Sequence, residues 1–284
     1  MIMGVNIKTY TFSSDVPGLN LLVLGAIHGN EKCGTKAIQN IIREIESGHL
    51  IVSKGSVTFL PISNPKAYVE NKRFIDENLN RVFYAGHLGN TYEGALAKEV
   101  MEEIKRCDYI LDLHSYTSGS GPFVFQDSLN ELTHDFISAL KISPVFVGWE
   151  DMYEGAGGSY TTLSYAHQIG KNGATVECAQ HNDPEGVQVA YHTIKNALSF
   201  LGIINSPPAN CSQPLQKIKM ISCFLKSDGN FSRDWKNLDP VQEGEVIALL
   251  KDGENIVSPC DGFIILPDSN AKIGEEWFYV GRHI

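Results

Sequence analysis

Six short apolar runs, rich in Leu, Ile and Val and closed by turn residues, alternate with segments of helical period over the first two thirds of the chain. Runs of this kind predict buried strands, here at 21–27, 57–62, 109–113, 122–125, 145–147 and 174–176. Between 35 and 46, Ala37, Ile38, Ile41, Ile42 and Ile45 fall on one helical stripe, with Gly48 placed as a stop. Leu96, Val100 and Ile104 form another stripe between 93 and 106. The strongest helix signal begins at Asp183-Pro184-Glu185, an N-cap followed by Pro, and runs through Val187, Tyr191, Ile194, Leu198 and Leu201 to Gly202. Strands alternating with helices predict an α/β fold, with a mostly parallel (mixed) sheet covered by helices on both faces.

That rhythm stops after Ile204. Residues 205–214, with three prolines, read as a linker between a catalytic α/β domain (1–204) and a small all-β domain (215–284), where short strands surround Asp228-Gly229, Asp252-Gly253 and Asp261-Gly262. A Ser-Pro-Cys-Asp-Gly segment in this β part resembles the sandwiches that carry biotin or lipoate. Lys251 is the nearest candidate attachment site, but its surroundings are poor, and a structural role is preferred: covering the active-site edge or forming a subunit contact in a homo-oligomer.

Charge and composition exclude whole classes. With 33 Asp and Glu against 23 Lys and Arg, the net charge is −10, and no basic run exists to neutralise a phosphate backbone or an anionic membrane. A nucleic-acid or membrane partner is therefore not expected, and a hydrophobic content of 43% argues against disorder. The six cysteines (Cys33, Cys107, Cys178, Cys211, Cys223, Cys260) form no C-x-x-C pair. With no basic n-region and apolar stretch at the start, reduced thiols in a cytoplasmic protein are the expectation.

Three predicted strands end in residues able to do chemistry: the first in His28-Gly29-Asn30-Glu31, the third in His114, the sixth in Glu177. In an open α/β sheet the carboxyl ends of parallel strands share one edge, where ligands bind. His28 and Glu31, three apart across a strand-to-helix turn, can grip one ion. His114 completes a two-His, one-carboxylate set that in tetrahedral zinc leaves a fourth position for water. An isolated H-x-x-E is common by chance, and the shared context of three strand ends is what raises its weight. His49, His87, His134, His167, His181, His192 and His283 lack such company and read as surface or ordinary hydrogen-bonding residues. Arg73 and Arg81, in a polar loop-like stretch, can offer planar donor forks to a carboxylate or oxyanion, or can simply pair with Asp76 and Glu77.

HGNE at 28–31, NPKA at 64–67, KRFIDENLNR at 72–81, YEG at 92–94, LDLHS at 111–115 and ATVECAQ at 174–180 together resemble the succinylglutamate desuccinylase and aspartoacylase family, a branch of the zinc carboxypeptidase-like hydrolases. The resemblance covers most of residues 20–200, in order. It implies one Zn2+ per chain, with His28, Glu31 and His114 as its ligands. It implies Glu177 as general base, Arg73 as the group that polarises the scissile carbonyl, and Asn80 with Arg81 as the pair that binds the substrate carboxylate. The chain departs from the family's named members at Ser115, where aspartoacylase has Asn. It also has no arginine between Phe83 and Glu177 except Arg106, so the second clamp for a dicarboxylic substrate is missing.

The expected activity is therefore hydrolysis of an N-acyl amino acid or similar small amide with one carboxylate and a neutral, aromatic or basic remainder. Tyr116, Trp149, Tyr153 and Tyr160 are candidate pocket residues. The competing readings are a carboxypeptidase or amidase acting on short peptides and, from another class, a catalytically silent metal- or metabolite-binding protein.

Overall fold

A computed structural model describes residues 7–84, 86–87, 90–126, 130–156, 158–207 and 215–284. Of the expected linker, residues 208–214 lie outside the described residues. The first part of the chain holds strands β1 (Tyr10–Ser13), β2 (Asn20–Gly25), β3 (Ser56–Leu60), β4 (Tyr109–Tyr116), β5 (Phe123–Gln126), β6 (Val145–Val147) and β7 (Asn172–Gln180). Its helices are α1 (Cys33–Glu46), α2 (Pro65–Glu70), α3 (Tyr92–Arg106), α4 (Glu131–Leu140), α5 (Thr162–Gln168) and α6 (Glu185–Phe200). All six apolar runs are strands, and the three helical stripes are α1, α3 and α6. Just before α6, Asp183 Oδ1 accepts from Glu185 N at 2.9 Å, but the helix starts one residue later than expected, with Pro184 at the cap position.

From residue 217 onward the described elements are all strands: β8 (Lys217–Leu225), β9 (Gly229–Phe231), β10 (Pro240–Val241), β11 (Val246–Leu250), β12 (Asn255–Val257), β13 (Gly262–Ile265) and β14 (Glu276–His283). One sheet of eleven strands runs in the order β1-β3-β2-β4-β7-β5-β6-β8-β14-β13-β10. Its centre is parallel, β3 with β2, β2 with β4 and β4 with β7, while β1 and β5 run antiparallel to their neighbours β3 and β7. Strand β8 joins β6 in parallel register, so the β-only region extends this sheet. Strands β9, β11 and β12 form a separate antiparallel sheet packed around Trp235, Ile247, Trp277 and Phe278.

Successive side chains of a strand face opposite ways, and both faces of this sheet are covered. Leu21 and Val23 of β2 pack with Ile38, Ile41, Phe136 and Ile194 of α1, α4 and α6, whereas Leu22 and Leu24 pack with Leu96, Val100 and Leu163 of α3 and α5. A strand buried on both sides must be apolar at every position, which is why β2 reads as an unbroken run.

The loop between α2 and α3 is tied down by one carboxylate. Glu93 is fully buried in the first turn of α3. Its Oε1 accepts from Asn64 Nδ2 (3.0 Å) and Ile75 N (2.7 Å), and its Oε2 accepts from Asp76 N (3.0 Å) and Glu77 N (3.4 Å). Asn64 in turn caps α2 by accepting from Ala67 N. The Asn-Pro-Lys-Ala and Tyr-Glu-Gly segments thus act together on the stretch that carries Arg73, Asn78, Asn80 and Arg81. Removing a carboxylate that satisfies this many buried donors strands them, so Glu93→Ala should cost about 3 kcal/mol in denaturant unfolding. A change within about 0.5 kcal/mol, the range of an ordinary surface substitution, contradicts this role.

Candidate metal centre and active site

Because β2, β4 and β7 are adjacent and parallel, their carboxyl ends meet at one edge. His28 and Glu31 follow β2, His114 lies near the end of β4, and Glu177 stands directly opposite His114 on β7. The turn after β2 passes so close to α2 that a Cβ on Gly29 would sit 2.1 Å from the Ala67 carbonyl carbon, so glycine is required there.

His28, Glu31 and His114 are buried, and one ligand atom from each lies within 4.8 Å of the others. Glu31 is the hub. Its Oε1 is 2.8 Å from His28 Nδ1 and accepts from Arg73 Nη1 at 2.9 Å. Its Oε2 is 2.9 Å from His114 Nδ1 and accepts from Ser115 N at 3.0 Å. The outer imidazole nitrogens are also held. His28 Nε2 is 2.9 Å from Asn78 Oδ1, an oxygen that already accepts from Asn80 N, so His28 must carry its proton on Nε2. His114 Nε2 lies 3.0 Å from Asp112 Oδ2, although not aligned as a hydrogen bond, and Thr162 Oγ1 donates to the same Asp112 oxygen at 2.5 Å.

The electrostatics follow from this packing. Burial, reinforced by Arg73, pushes His28 down to about 4, with Glu31 pulling the other way. Burial opposes charge on His114, yet Asp112 and Glu31 hold it well above its usual value. Burial likewise opposes ionisation of Glu31, and the two imidazoles hold it well below the usual carboxylate range. Two inward Nδ1 atoms, one carboxylate and outer contacts that fix ring orientation suit a divalent metal with an open coordination position.

The residues join in a cavity of about 470 Å³, lined by all three ligand candidates together with Arg73, Asn80, Arg81 and Glu177. Glu177 is half-buried, and its Oε2 is buried with no hydrogen-bond partner among the described residues. Burial pushes its carboxyl up to about 8, with His114 pulling the other way. Asn80 Oδ1 accepts from Thr162 N at 3.0 Å. Neither arginine is spent on Asp76 or Glu77, whose carboxylates bond Tyr92 N and His87 with Thr91.

Arg81 reaches instead across to β14. Its Nε and Nη2 donate to Glu276 Oε1 at 3.1 and 2.9 Å, its Nη1 donates to Asn80 O at 2.9 Å, and its guanidinium lies 5.6 Å over Trp149 and 5.9 Å over Tyr153. Burial works against the charge of Arg81, but Glu276 keeps it above its ordinary value. Tyr153 Oη also donates to Glu276 Oε1 at 3.1 Å and lies 3.1 Å from Tyr279 Oη. The four nominated aromatics, Tyr116, Trp149, Tyr153 and Tyr160, all line the cavity. Sequence reasoning missed Asn78, His181, Glu276 and Tyr279, which line it too. Only Asn78, two residues before the Asn80-Arg81 pair, had a local signal.

Residues 17–201 match the sequence model of the succinylglutamate desuccinylase/aspartoacylase catalytic domain, and the chain belongs to that family of amide-cleaving hydrolases. It is 25% identical over 279 residues to an N-acyl-aromatic-L-amino acid amidohydrolase (carboxylate-forming) of Rattus norvegicus, covering 87% of this chain and 84% of that one. It is 27% identical over 294 residues to a succinylglutamate desuccinylase of Pseudoalteromonas atlantica, covering 93% and 82%. Among solved structures, the fold resembles a succinylglutamate desuccinylase/aspartoacylase of Rhodobacter sphaeroides, with a TM-score of 0.78, 18% identity and 99% and 90% of the two chains covered.

Asp112 and Glu31 hold His114 well above its usual value, so metal uptake near neutral pH should displace its proton. Calorimetric Zn2+ titrations in buffers of different ionisation enthalpy should report release of about one proton, with affinity strengthening about tenfold per pH unit below that value. Binding without proton release contradicts the assignment.

Proposed function

We propose that this chain is a zinc-dependent deacylase that hydrolyses an N-acyl amino acid, or a similar small amide with one carboxylate, using one Zn2+ held by His28, Glu31 and His114. The observation that carries this reading is the buried His-Glu-His cluster with the unpartnered carboxylate of Glu177 beside it, in a chain of this family. When bound, zinc supplies a Lewis acid and lowers the pKa of a coordinated water from about 15.7 toward about 7. Glu177 takes a proton from the attacking water and passes it to the leaving amine. For this it must be ionised, and positive charge at the cluster draws its carboxyl down from about 8. Arg73, with one donor on Glu31 and its side chain 46% exposed at the cavity, retains donors for the developing oxyanion.

Asn80 and Arg81 hold the substrate carboxylate. Three of the five guanidinium donors of Arg81 are engaged, leaving two for a ligand. Arg73 and Arg81 are the only lysine or arginine side chains among the described residues lining the cavity, whereas Asp268, Glu275 and Glu276 line it from the β-only region. A second substrate carboxylate would meet acidic neighbours, at a cost of several kcal/mol. Phe125, Trp149, Tyr153, Tyr160 and Tyr279 suit an aromatic or other uncharged remainder. The name of the rat relative points the same way.

The β-only region supplies one wall of the cavity, which favours a small substrate over a longer peptide. A catalytically silent metal binder is disfavoured because the whole set, Glu177 included, is present.

Two measurements test the proposal. Zinc-loaded protein should hydrolyse N-acyl aromatic amino acids in preference to N-acetylaspartate and N-succinylglutamate, and failure on every member of such a panel overturns the deacylase reading. Glu177→Gln should lower kcat by about 10³-fold while retaining one zinc; parallel loss of metal and activity contradicts a base role.

A further inference from the structure

His181 follows β7, four residues beyond Glu177, and its backbone N donates to Tyr116 O at 2.9 Å. Its ring lines the cavity, with Nδ1 2.8 Å from Ser115 Oγ. Ser115 is 3% exposed, so its hydroxyl proton needs an acceptor, and His181 Nδ1 offers a lone pair at that distance. Once Nδ1 accepts, the ring's own proton resides on Nε2. Burial lowers this imidazole's basicity, in keeping with a neutral ring that carries that single proton. Nε2 is buried and has no hydrogen-bond partner among the described residues. A buried donor without an acceptor is costly, and a ligand oxygen within reach would satisfy it.

The place of that donor indicates which atom. His181 is tied to Ser115, whose N donates to Glu31 Oε2 at 3.0 Å, whereas Arg81 is tied to Glu276 of β14 and lies over Trp149 and Tyr153. The two residues therefore belong to different neighbourhoods of one cavity. If the amino-acid carboxylate is held at Arg81 and the scissile carbon at the His-Glu-His cluster, the acyl half falls toward Ser115 and His181. We propose that Nε2–H of His181, oriented by the Ser115 hydroxyl, donates a hydrogen bond to an oxygen of the acyl half, the carboxylate of the released acid included. This rests on the deacylase reading for the orientation of substrate, but the contact itself can be measured without turnover.

The probe is acetate, titrated calorimetrically into zinc-loaded protein. Wild type should bind it, and His181→Leu should retain one zinc yet bind acetate about tenfold more weakly, with a comparable fall in kcat/KM; tenfold corresponds to about 1.4 kcal/mol. Ser115→Ala, which frees the ring to change tautomer, should show a smaller loss in the same direction. Acetate affinity unchanged in His181→Leu, or no acetate binding by wild type, overturns the proposal. Where the Leu variant fails to hold zinc, 15N-histidine-labelled wild type answers instead: saturating acetate should shift the His181 Nε2 resonance, assigned by its loss in His181→Gln, and an unmoved resonance overturns it. A wild type that binds acetate through His181 but hydrolyses no N-acyl amino acid contradicts the deacylase reading alone.

Discussion

The carboxylate of Glu31 is the interaction on which the site depends. Its two oxygens meet two imidazoles, a guanidinium and a backbone N–H, and they join segments that are remote in sequence: the turn after β2, the end of β4 and the Arg73 loop. It is buried to 2% exposure, where an uncompensated charge is very costly. The surrounding donors reduce that cost, and the inward ligand atoms of His28, Glu31 and His114, all within 4.8 Å of one another, form a place that a cation completes. The remaining polar groups serve this arrangement. Asn78 and Asp112 orient the rings, and Asn80 and Thr162 hold Asn78 and Asp112 in turn.

Two parts of the molecule with different physics flank that centre. The sheet edge is rigid because β2, β4 and β7 are buried on both faces. The 73–81 stretch lacks regular structure except for a short 3-10 turn at Leu79–Arg81 and depends on Glu93 for its shape. Arg81 joins this stretch to β14 through Glu276, so the β-only region contributes directly to the cavity's charge and aromatic surface. In a protein with a net charge of −10, attraction of the proposed carboxylate-bearing substrate must come from these few local cations and the proposed metal.

What the sequence reveals follows from how local each signal is. The strands and the three amphipathic helices were legible because burial on one or two faces writes itself into hydrophobic period. His28, Glu31, His114 and Glu177 stood out because each closes such a run. Helices α2 and α5 were not foreseen: with six and seven residues they are too short to show a period. Helix α4 has buried Phe136, Ile137 and Leu140 within only ten residues. Strand β1 is an edge strand with a mixed burial pattern, which blurs its signal. Glu276 and Tyr279 had no legible signal because their place depends on β14 pairing with β8, which sets Glu276 opposite Leu225 and Tyr279 opposite Cys223, far apart in sequence. His181 reads as ordinary until the register of β7 brings it beside Ser115.

X-ray absorption at the zinc edge of protein purified with one equivalent of metal tests the central claim most directly. The account predicts a four-coordinate shell of nitrogen and oxygen at about 2.0–2.1 Å, with multiple scattering from two imidazoles that falls to one in His28→Ala. Sulfur at about 2.3 Å, or an imidazole count unchanged by that substitution, would contradict it.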